Sequence, residues 1–166
     1  MKTLLACLSL FFISCGSYKT VKNKDLQYLK NNLEGKFIAE DMNLDSTNNN
    51  TSIQRLFEIQ NSDYMIGLKV NDSKELEIHY KNALGGNQVK FFKGKFKKKY
   101  FKVFIEKKRI TFPPIYWVIN VNRLKIGLDQ KGRLIINKHY DHSGMVLLFA
   151  AGSSYDYQYI FKQSQN

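Results

Sequence analysis

The strongest constraint on the fold of this chain is a succession of short segments in which apolar and polar residues alternate. In Lys74 to Lys81, for example, Leu76, Ile78 and Tyr80 share one face and polar residues occupy the other. A period of two places successive side chains on opposite faces of a β-strand, so such a segment is half-buried. Comparable segments follow one another to residue 162 and are separated by turn residues. The sequence therefore predicts an all-β protein.

The connections between these segments are short, which favours antiparallel neighbours. Asp129 to Gly132 and Asp141 to Gly144 share the form Asp-x-x-Gly, which suits a type I turn ending in a left-handed glycine. Pro113-Pro114 interrupts the apolar segment 110–119, which is expected to be a rigid crossing segment or a covered edge. Eight or nine strands are predicted, among them 64–70, 74–81, 89–96, 100–107, 120–128, 132–140, 144–150 and 155–162.

An antiparallel meander of this length favours an up-and-down, lipocalin-like barrel, because closure removes the exposed sheet edges. A two-sheet β-sandwich is the alternative. Short helices are expected only near 25–32 and 52–59, although a strand through Ile53, Phe57 and Ile59 remains an alternative for the second of them. The apolar phase slips between Phe91 and Phe92, and Gly94 follows, so a bulge or bend is predicted there.

The amino terminus has the pattern of a lipoprotein signal. Lys2 precedes an uncharged stretch too short to span a bilayer, and Phe12-Ile13-Ser14-Cys15 resembles a lipobox. The rival Leu4-Leu5-Ala6-Cys7 leaves almost no apolar core before the cut, so Cys15 is preferred. Residues 1–14 are then a signal peptide, and Cys15 carries the acyl chains, including palmitate.

The predicted division of the mature chain is a polar, lysine-rich tether over 15–32 and a β-barrel domain over 33–166. With Cys15 as the sole remaining thiol, no intramolecular disulfide can form. In lipoproteins of the Gram-negative type, an Asp after the cysteine retains the protein at the inner membrane, but here Gly16 follows. We therefore expect a lipid-anchored envelope protein of the outer membrane, facing the periplasm.

The net charge of +12 is unevenly distributed. Residues 81–140 contain sixteen Lys or Arg against two acids, whereas residues 40–80 contain three basic and eight acidic residues. In this compartment the available anions are lipid head groups and lipopolysaccharide phosphates, and no nucleic acid is expected. Solvated strand faces are the simpler explanation. The candidate anionic-surface contacts on one predicted hairpin are Lys93, Lys95, Lys97, Lys98, Lys99 and Lys102.

Two other groups of residues suggest sites. His139, Asp141, His142 and Ser143 crowd into one predicted turn, but neighbouring turn residues cannot align as a catalytic triad and seldom converge on a metal. No enzyme, metal or cofactor is therefore expected. Alternation places four aromatic rings on one face of the last strand, where they either line a ligand cavity or pack the core. These candidate ligand-lining residues are Tyr155, Tyr157, Tyr159 and Phe161.

Several short motifs resemble those of lipoproteins of flavobacteria (Bacteroidetes) with a lipocalin-like barrel. Besides the lipobox, they are Leu33-Glu34-Gly35-Lys36-Phe37, Lys93-Gly94-Lys95 before Tyr100-Phe101, and 123–128. The resemblance implies a fold and a compartment. The sequence thus favours a lipid-anchored binding module for a small amphipathic ligand or an anionic envelope component. The alternative is a structural or assembly protein that docks an envelope partner through its basic strands.

Overall fold

The computed structural model describes residues 21–29, 32–42, 51–60, 63–112, 115–147 and 149–164. Eight strands form one antiparallel sheet in chain order, each hydrogen-bonded to the next. They are β1 (Glu34–Ile38), β2 (Met65–Val70), β3 (Glu75–Lys81), β4 (Asn87–Lys97), β5 (Tyr100–Phe112), β6 (Tyr116–Leu128), β7 (Leu134–Val146) and β8 (Phe149–Phe161). A 3-10 turn at Asn23–Asp25 and helix α1 (Ile53–Phe57) accompany them. The predicted all-β meander is confirmed.

The sheet curls into a half-barrel whose first and last strands meet at one end. The N–H of Ile38 donates to the carbonyl of Lys162, and the N–H of Ser164 donates to the carbonyl of Lys36, both at 2.9 Å. An antiparallel bridge joins Phe37 and Gln163 between these two bonds. Because the strands belong to one sheet, the barrel-like arrangement is correct and the two-sheet sandwich is wrong.

Helix α1 begins where the Ser52 side chain accepts a hydrogen bond from the N–H of Arg55, and it ends at Glu58, whose φ is +53°. The Lys90 ammonium donates to the carbonyls of Phe57 and Glu58 at 3.0 and 2.9 Å. Exposed carbonyls at a helix end favour such a cation. The helix expected near Ile53 is therefore confirmed, and the strand alternative is wrong. The helix expected near 25–32 is not found over the described residues of that range, where the 3-10 turn Asn23–Asp25 ends and an extended segment follows.

Strand β4 changes its pairing partner along its length, and we call this point the corner of the sheet. Residues 87–93 pair with β3, whereas 94–97 pair with β5. Gly94 stands at the junction, and the Phe101 ring lies where a Cβ would be, 2.3 Å from the ideal position. The bend predicted at Gly94 coincides with this change of partner, and the pairing of β4 has no register shift of a bulge there. The bulge lies instead in β5, between Phe104 and Glu106.

Strands β5 to β8 are each 13 residues long and continue past the buried core. We call their outer part the extension, which comprises 104–112, 116–123, 139–146 and 149–156. Two predictions fail here. The segment around residues 110–119 is the end of one hairpin, because Phe112 pairs with Tyr116. Asp141 to Gly144 is not a turn but the middle of β7, paired on both sides.

The described part of the predicted tether lies against the convex, outer side of the sheet. Leu26 is buried beside Ile135 and Ile160. The N–H of Gln27 donates to the Leu128 carbonyl at 2.8 Å, and Val21 exchanges two 2.8 Å hydrogen bonds with the Gln158 amide. Residues 21–29 are thus bound to the domain.

Candidate functional site

The predicted ligand-lining residues follow the concave face of β8, and the structure separates them by depth. Phe161 and Tyr159 are buried in the core, Tyr157 is half-buried, and Tyr155 is 49% exposed. The three tyrosine rings stack with centroids 6.1 and 6.3 Å apart. They therefore form a ladder that leads from the core onto the extension.

Side chains from opposite parts of the half-barrel fill its interior. Phe37, Phe57, Phe101 and Phe161 are fully buried in one apolar cluster. Burial, followed by the proximity of Tyr157 and Asp41, raises the pKa of Tyr159 to about 12. The inner end of the tyrosine ladder is part of the packed core, and only its outer end faces solvent.

The polar cluster predicted in a turn is divided between the two faces of β7. His139, Asp141 and Ser143 lie on the outer face, whereas His142 lies on the concave face with its ring stacked on Tyr140. His139 Nδ1 is 3.2 Å from Asp156, and Ser143 donates to Asp141 at 2.8 Å. These contacts do not form a nucleophile–base–acid series. Within the described ranges, no group of three or more His, Cys, Asp or Glu side chains is arranged to hold a metal ion.

The six lysines predicted as anionic-surface contacts have different surroundings in the structure. Lys99 donates to the Lys24 carbonyl at 2.6 Å and covers the Tyr28 ring, and the Lys98 carbonyl accepts from Leu29. These two lysines of the β4–β5 turn therefore hold the amino-terminal segment. Lys93 lies opposite Glu75 on β3, beside an open groove of about 760 Å³.

The other three predicted lysines, Lys95, Lys97 and Lys102, share the outer face of the sheet with cations from β5 and β6. Lys95 pairs directly with Lys102, and Lys102 pairs with Lys125, so like charges lie side by side across three strands. Side-chain alternation places the remaining cations on the same face. We call this set the outer basic face, and it consists of Lys95, Lys97, Lys102, Lys107, Arg123 and Lys125.

Aromatic rings lie among these cations. The Lys102 and Lys107 ammonium groups are 4.8 and 5.3 Å from the centroid of the Phe104 ring, and Lys125 is 5.3 Å from the centroid of Tyr100. Such cation–π contacts hold the side chains along the surface while their ammonium groups stay hydrated. The result is a half-exposed layer of positive charge and aromatic rings.

Lys102 lies at the centre of the outer basic face, and its surroundings lower its pKa. Partial burial lowers the pKa of Lys102 first, and the nearby Arg123, Lys97, Lys107 and Lys95 lower it further. For Lys102, Lys107 and Arg123, no ion pair with a carboxylate is found in the described part of the chain. Arg123 Nε is buried and has no hydrogen-bond partner there. On the outer face of the sheet, acids lie to either side of these cations, namely Glu75 and Glu77 on β3 and Asp141 and Asp156 on β7 and β8.

The sequence alone did not assign Lys107, Arg123 and Lys125 to this face. The signal for Arg123 and Lys125 was their alternation with Leu124 and Ile126, which are both fully buried. Lys107 was obscured by the bulge after Phe104, because a bulge changes the face on which the following residues lie.

The fold and this surface define the class of protein as a single-sheet, up-and-down antiparallel β-protein with a packed interior and a charged outer face. No family model, curated protein or solved structure matches the chain. The similarity to flavobacterial lipoproteins therefore stays a prediction. Cys15 lies outside the described residues. Among those that are described, no helix is long and apolar enough to cross a bilayer.

Proposed function

We propose that this chain is a lipid-anchored envelope protein whose outer basic face binds an anionic surface, such as a phosphate-bearing lipid leaflet. The supporting observation is the contiguous set of cations on β4, β5 and β6, in which partial burial and then the neighbouring cations lower the pKa of Lys102. An anion placed against this face would relieve the repulsion among them. The predicted anchor at Cys15 would keep the domain at the membrane, and the basic face would orient it.

The packed interior supports a surface ligand over an enclosed one. A small amphipathic ligand requires a cavity lined by the predicted aromatic residues, yet Tyr159 and Phe161 lie in the core and α1 fills the concave side beside them. In contrast, the outer basic face requires no opening of the fold. Each Lys or Arg close to an anionic leaflet contributes about 1 kcal/mol, so three of them together contribute about 3 kcal/mol before screening.

We expect Lys95→Gln/Lys102→Gln/Lys107→Gln to reduce affinity for anionic vesicles by about 100-fold at low salt, because about 3 kcal/mol is removed. The protein to measure is the unlipidated chain from residue 15 with Cys15→Ser, in vesicle co-sedimentation. Binding of the unsubstituted chain should also fall as salt shortens the Debye length from ~10 Å at 0.1 M to ~3 Å at 1 M.

The matched control is Lys36→Gln/Lys69→Gln/Lys81→Gln, which removes the same charge from the outer face of β1, β2 and β3. It should change affinity about threefold or less, because these side chains lie on the opposite part of the sheet. Equal losses in both triple variants would mean that net charge alone drives binding. Binding of neutral and anionic vesicles with equal affinity would contradict the proposal.

The anchor is tested separately with Cys15→Ser in the native host. Because the diacylglyceryl group is attached to a thiol, the variant should take up no label from a fatty-acid analogue and should leave the membrane fraction. Labelling of the variant at the level of the unsubstituted protein would rule out Cys15 as the attachment site.

A second candidate function is the docking of an acidic envelope protein on the same face. The extension favours it, because strands β5 to β8 present an open sheet beyond the core. Absence of vesicle binding, together with capture of one acidic partner that Lys95→Gln/Lys102→Gln/Lys107→Gln abolishes, would select this alternative.

A further inference from the structure

We propose that the far end of the extension inserts into the interfacial region of an anionic lipid bilayer. This inference rests on the proposed function and narrows its ligand from an anionic surface to a bilayer. The inserting part, which we call the apolar tip, consists of Ile110, Phe112, Ile115, Val146, Leu147 and Phe149.

The apolar tip is one surface made by two adjacent hairpin ends. Tyr116 pairs with Val146 across β6 and β7, and the N–H of Leu147 donates to the carbonyl of Ile115. The β5–β6 and β7–β8 ends are therefore fixed side by side. Two hairpin ends that are already hydrogen-bonded to each other lose less conformational freedom on entering an interface than two separate loops would.

The side chains of the tip are exposed although they are apolar. Phe149 is 83% exposed, Phe112 is 66% exposed, and the other four are 43% to 56% exposed. Contiguous exposed apolar surface of this kind marks a binding site in a soluble domain. The chain also lacks charged side chains throughout residues 110–122 and 143–155, so no charge in these hairpin ends opposes their approach to hydrocarbon.

The positive charge next to the apolar tip favours an anionic bilayer as the ligand of this surface. Lys107, Lys108 and Arg109 immediately precede Ile110, and alternation distributes them over both faces of β5. They form a cationic collar at the depth where head-group phosphates would lie. In a tip-to-tip dimer the same collars would approach each other and repel, so a second copy of the chain fits this surface less well.

The aromatic residues next to the collar also match an interface. Trp117 and Tyr116 are half-buried at the start of β6, where they pair with Thr111 and Phe112 and so lie level with the tip. Trp and Tyr are enriched where hydrocarbon meets head groups. Along the hairpin the charged side chains thus come first, and the aromatic and apolar side chains follow together at its end, an arrangement that suits a bilayer interface.

The predicted anchor can reach the same membrane. Val21 is fixed to Gln158 on β8, and the six residues from Cys15 to Val21 span at most ~20 Å. From Gln158 to Ala151, which is level with Ile110, β8 extends about 23 Å. The two lengths are comparable, so a lipid on Cys15 and the apolar tip can share one leaflet.

Trp117 provides the test, because it is the only tryptophan in the chain. The probe is a phosphatidylglycerol vesicle whose acyl chains carry bromine, a quencher of tryptophan fluorescence, compared with the unbrominated vesicle. With the unlipidated Cys15→Ser chain from residue 15, we expect quenching and a blue shift on binding. Phe112→Ser/Phe149→Ser should abolish the quenching and weaken binding about 30-fold at 0.5 M salt, because the partial burial of two rings is lost.

The matched control is Leu84→Ser/Phe91→Ser, which replaces two exposed apolar residues far from the tip. It should leave both quenching and affinity within about threefold of the unsubstituted chain. Phe112 and Phe149 are themselves exposed, so the tip variant should retain the circular-dichroism spectrum and melting curve of the unsubstituted chain.

The outcomes separate this inference from the proposed function. Binding to anionic vesicles without quenching of Trp117 would overturn tip insertion while the basic face still binds. Quenching that is equal in neutral vesicles and insensitive to salt would contradict both the basic-face proposal and the choice of an anionic bilayer by the collar. Loss of a dimer in Phe112→Ser/Phe149→Ser, seen by analytical ultracentrifugation without any vesicle effect, would assign the tip to self-association and overturn the inference.

Discussion

Replacing Gly94 with alanine is expected to destabilise the fold by about 3 kcal/mol and to lower Tm by about 6 to 12 °C. The added Cβ would lie 2.3 and 2.5 Å from two carbons of the Phe101 ring and 2.7 Å from the backbone oxygen of Lys102. The ring is fully buried and packs edge-on against Phe96 at 4.9 Å. The oxygen belongs to the β4–β5 ladder. Neither group can move without disturbing the corner of the sheet.

Urea unfolding of Gly94→Ala measures this effect, and Gly86→Ala is the matched control. At Gly86 the nearest atoms are 3.4 Å away in the Asn82 side chain, so its stability should change by less than about 0.5 kcal/mol. In a double-mutant cycle, Phe101→Leu should reduce the destabilisation caused by Gly94→Ala. It should not remove it completely, because the close contact with the Lys102 oxygen remains. A Gly94→Ala protein as stable as the unsubstituted chain would exclude this packing at the corner.

Replacing Asp129 with asparagine is expected to cost about 2 to 3 kcal/mol at pH 7. One carboxylate oxygen accepts from the N–H groups of Lys131 and Arg133, both at 2.9 Å, and the other is 2.7 and 2.6 Å from Arg133 Nε and Nη2. An asparagine amide has one oxygen and one NH2 group, so it can accept only part of these hydrogen bonds. The expected cost is below that of a fully buried ion pair because Arg133 remains partly exposed.

The pH dependence of this effect follows from the direction of the pKa shift. Burial acts to raise the pKa of Asp129, but hydrogen bonds from the Arg133 side chain and from the N–H groups of Arg133 and Lys131 outweigh it and lower the pKa. A lowered folded-state pKa gives stability that is complete above the unfolded value of about 3.9 and is lost as pH falls through the folded value.

The stability gap between the unsubstituted chain and Asp129→Asn should therefore be constant above about pH 5 and shrink in more acidic solution. Urea unfolding at successive pH values measures the gap. Asp72→Asn, at an exposed turn position, should leave stability nearly unchanged at every pH. A gap that persists undiminished at pH 2 would show that the ionised carboxylate does not hold the β6–β7 turn.

Two identical turn motifs show how far local sequence decides this fold. At 129–132 the predicted turn forms, with Gly132 at φ +74° and its N–H donating to Asp129. At 141–144 the same Asp-x-x-Gly pattern lies within β7, where Asp141 pairs with Val121 and Ser154. A local turn preference of about 1 kcal/mol does not outweigh hydrogen-bonded ladders on both sides.

The two proposed functional surfaces likewise depend partly on local sequence and partly on tertiary structure. The charge asymmetry of residues 81–140 and the aromatic alternation of β8 are properties of the sequence itself. However, the basic face depends on strand register, which places Lys102 between Lys95 and Lys125. The apolar tip depends on the adjacency of two hairpins that are separated by a whole strand pair in the chain.

The sequence by itself determined the fold class and the order of the strands, because side-chain alternation and short turns are local properties. It also identified Phe161 and Tyr159 as inward-facing residues, but not that other side chains would occupy the space beside them. Only the tertiary structure decided that the interior is filled, that His142 lies on the opposite face from Asp141, and which cations share one surface. These outcomes depend on pairing between distant strands, where a shift of one residue reverses the face of every side chain.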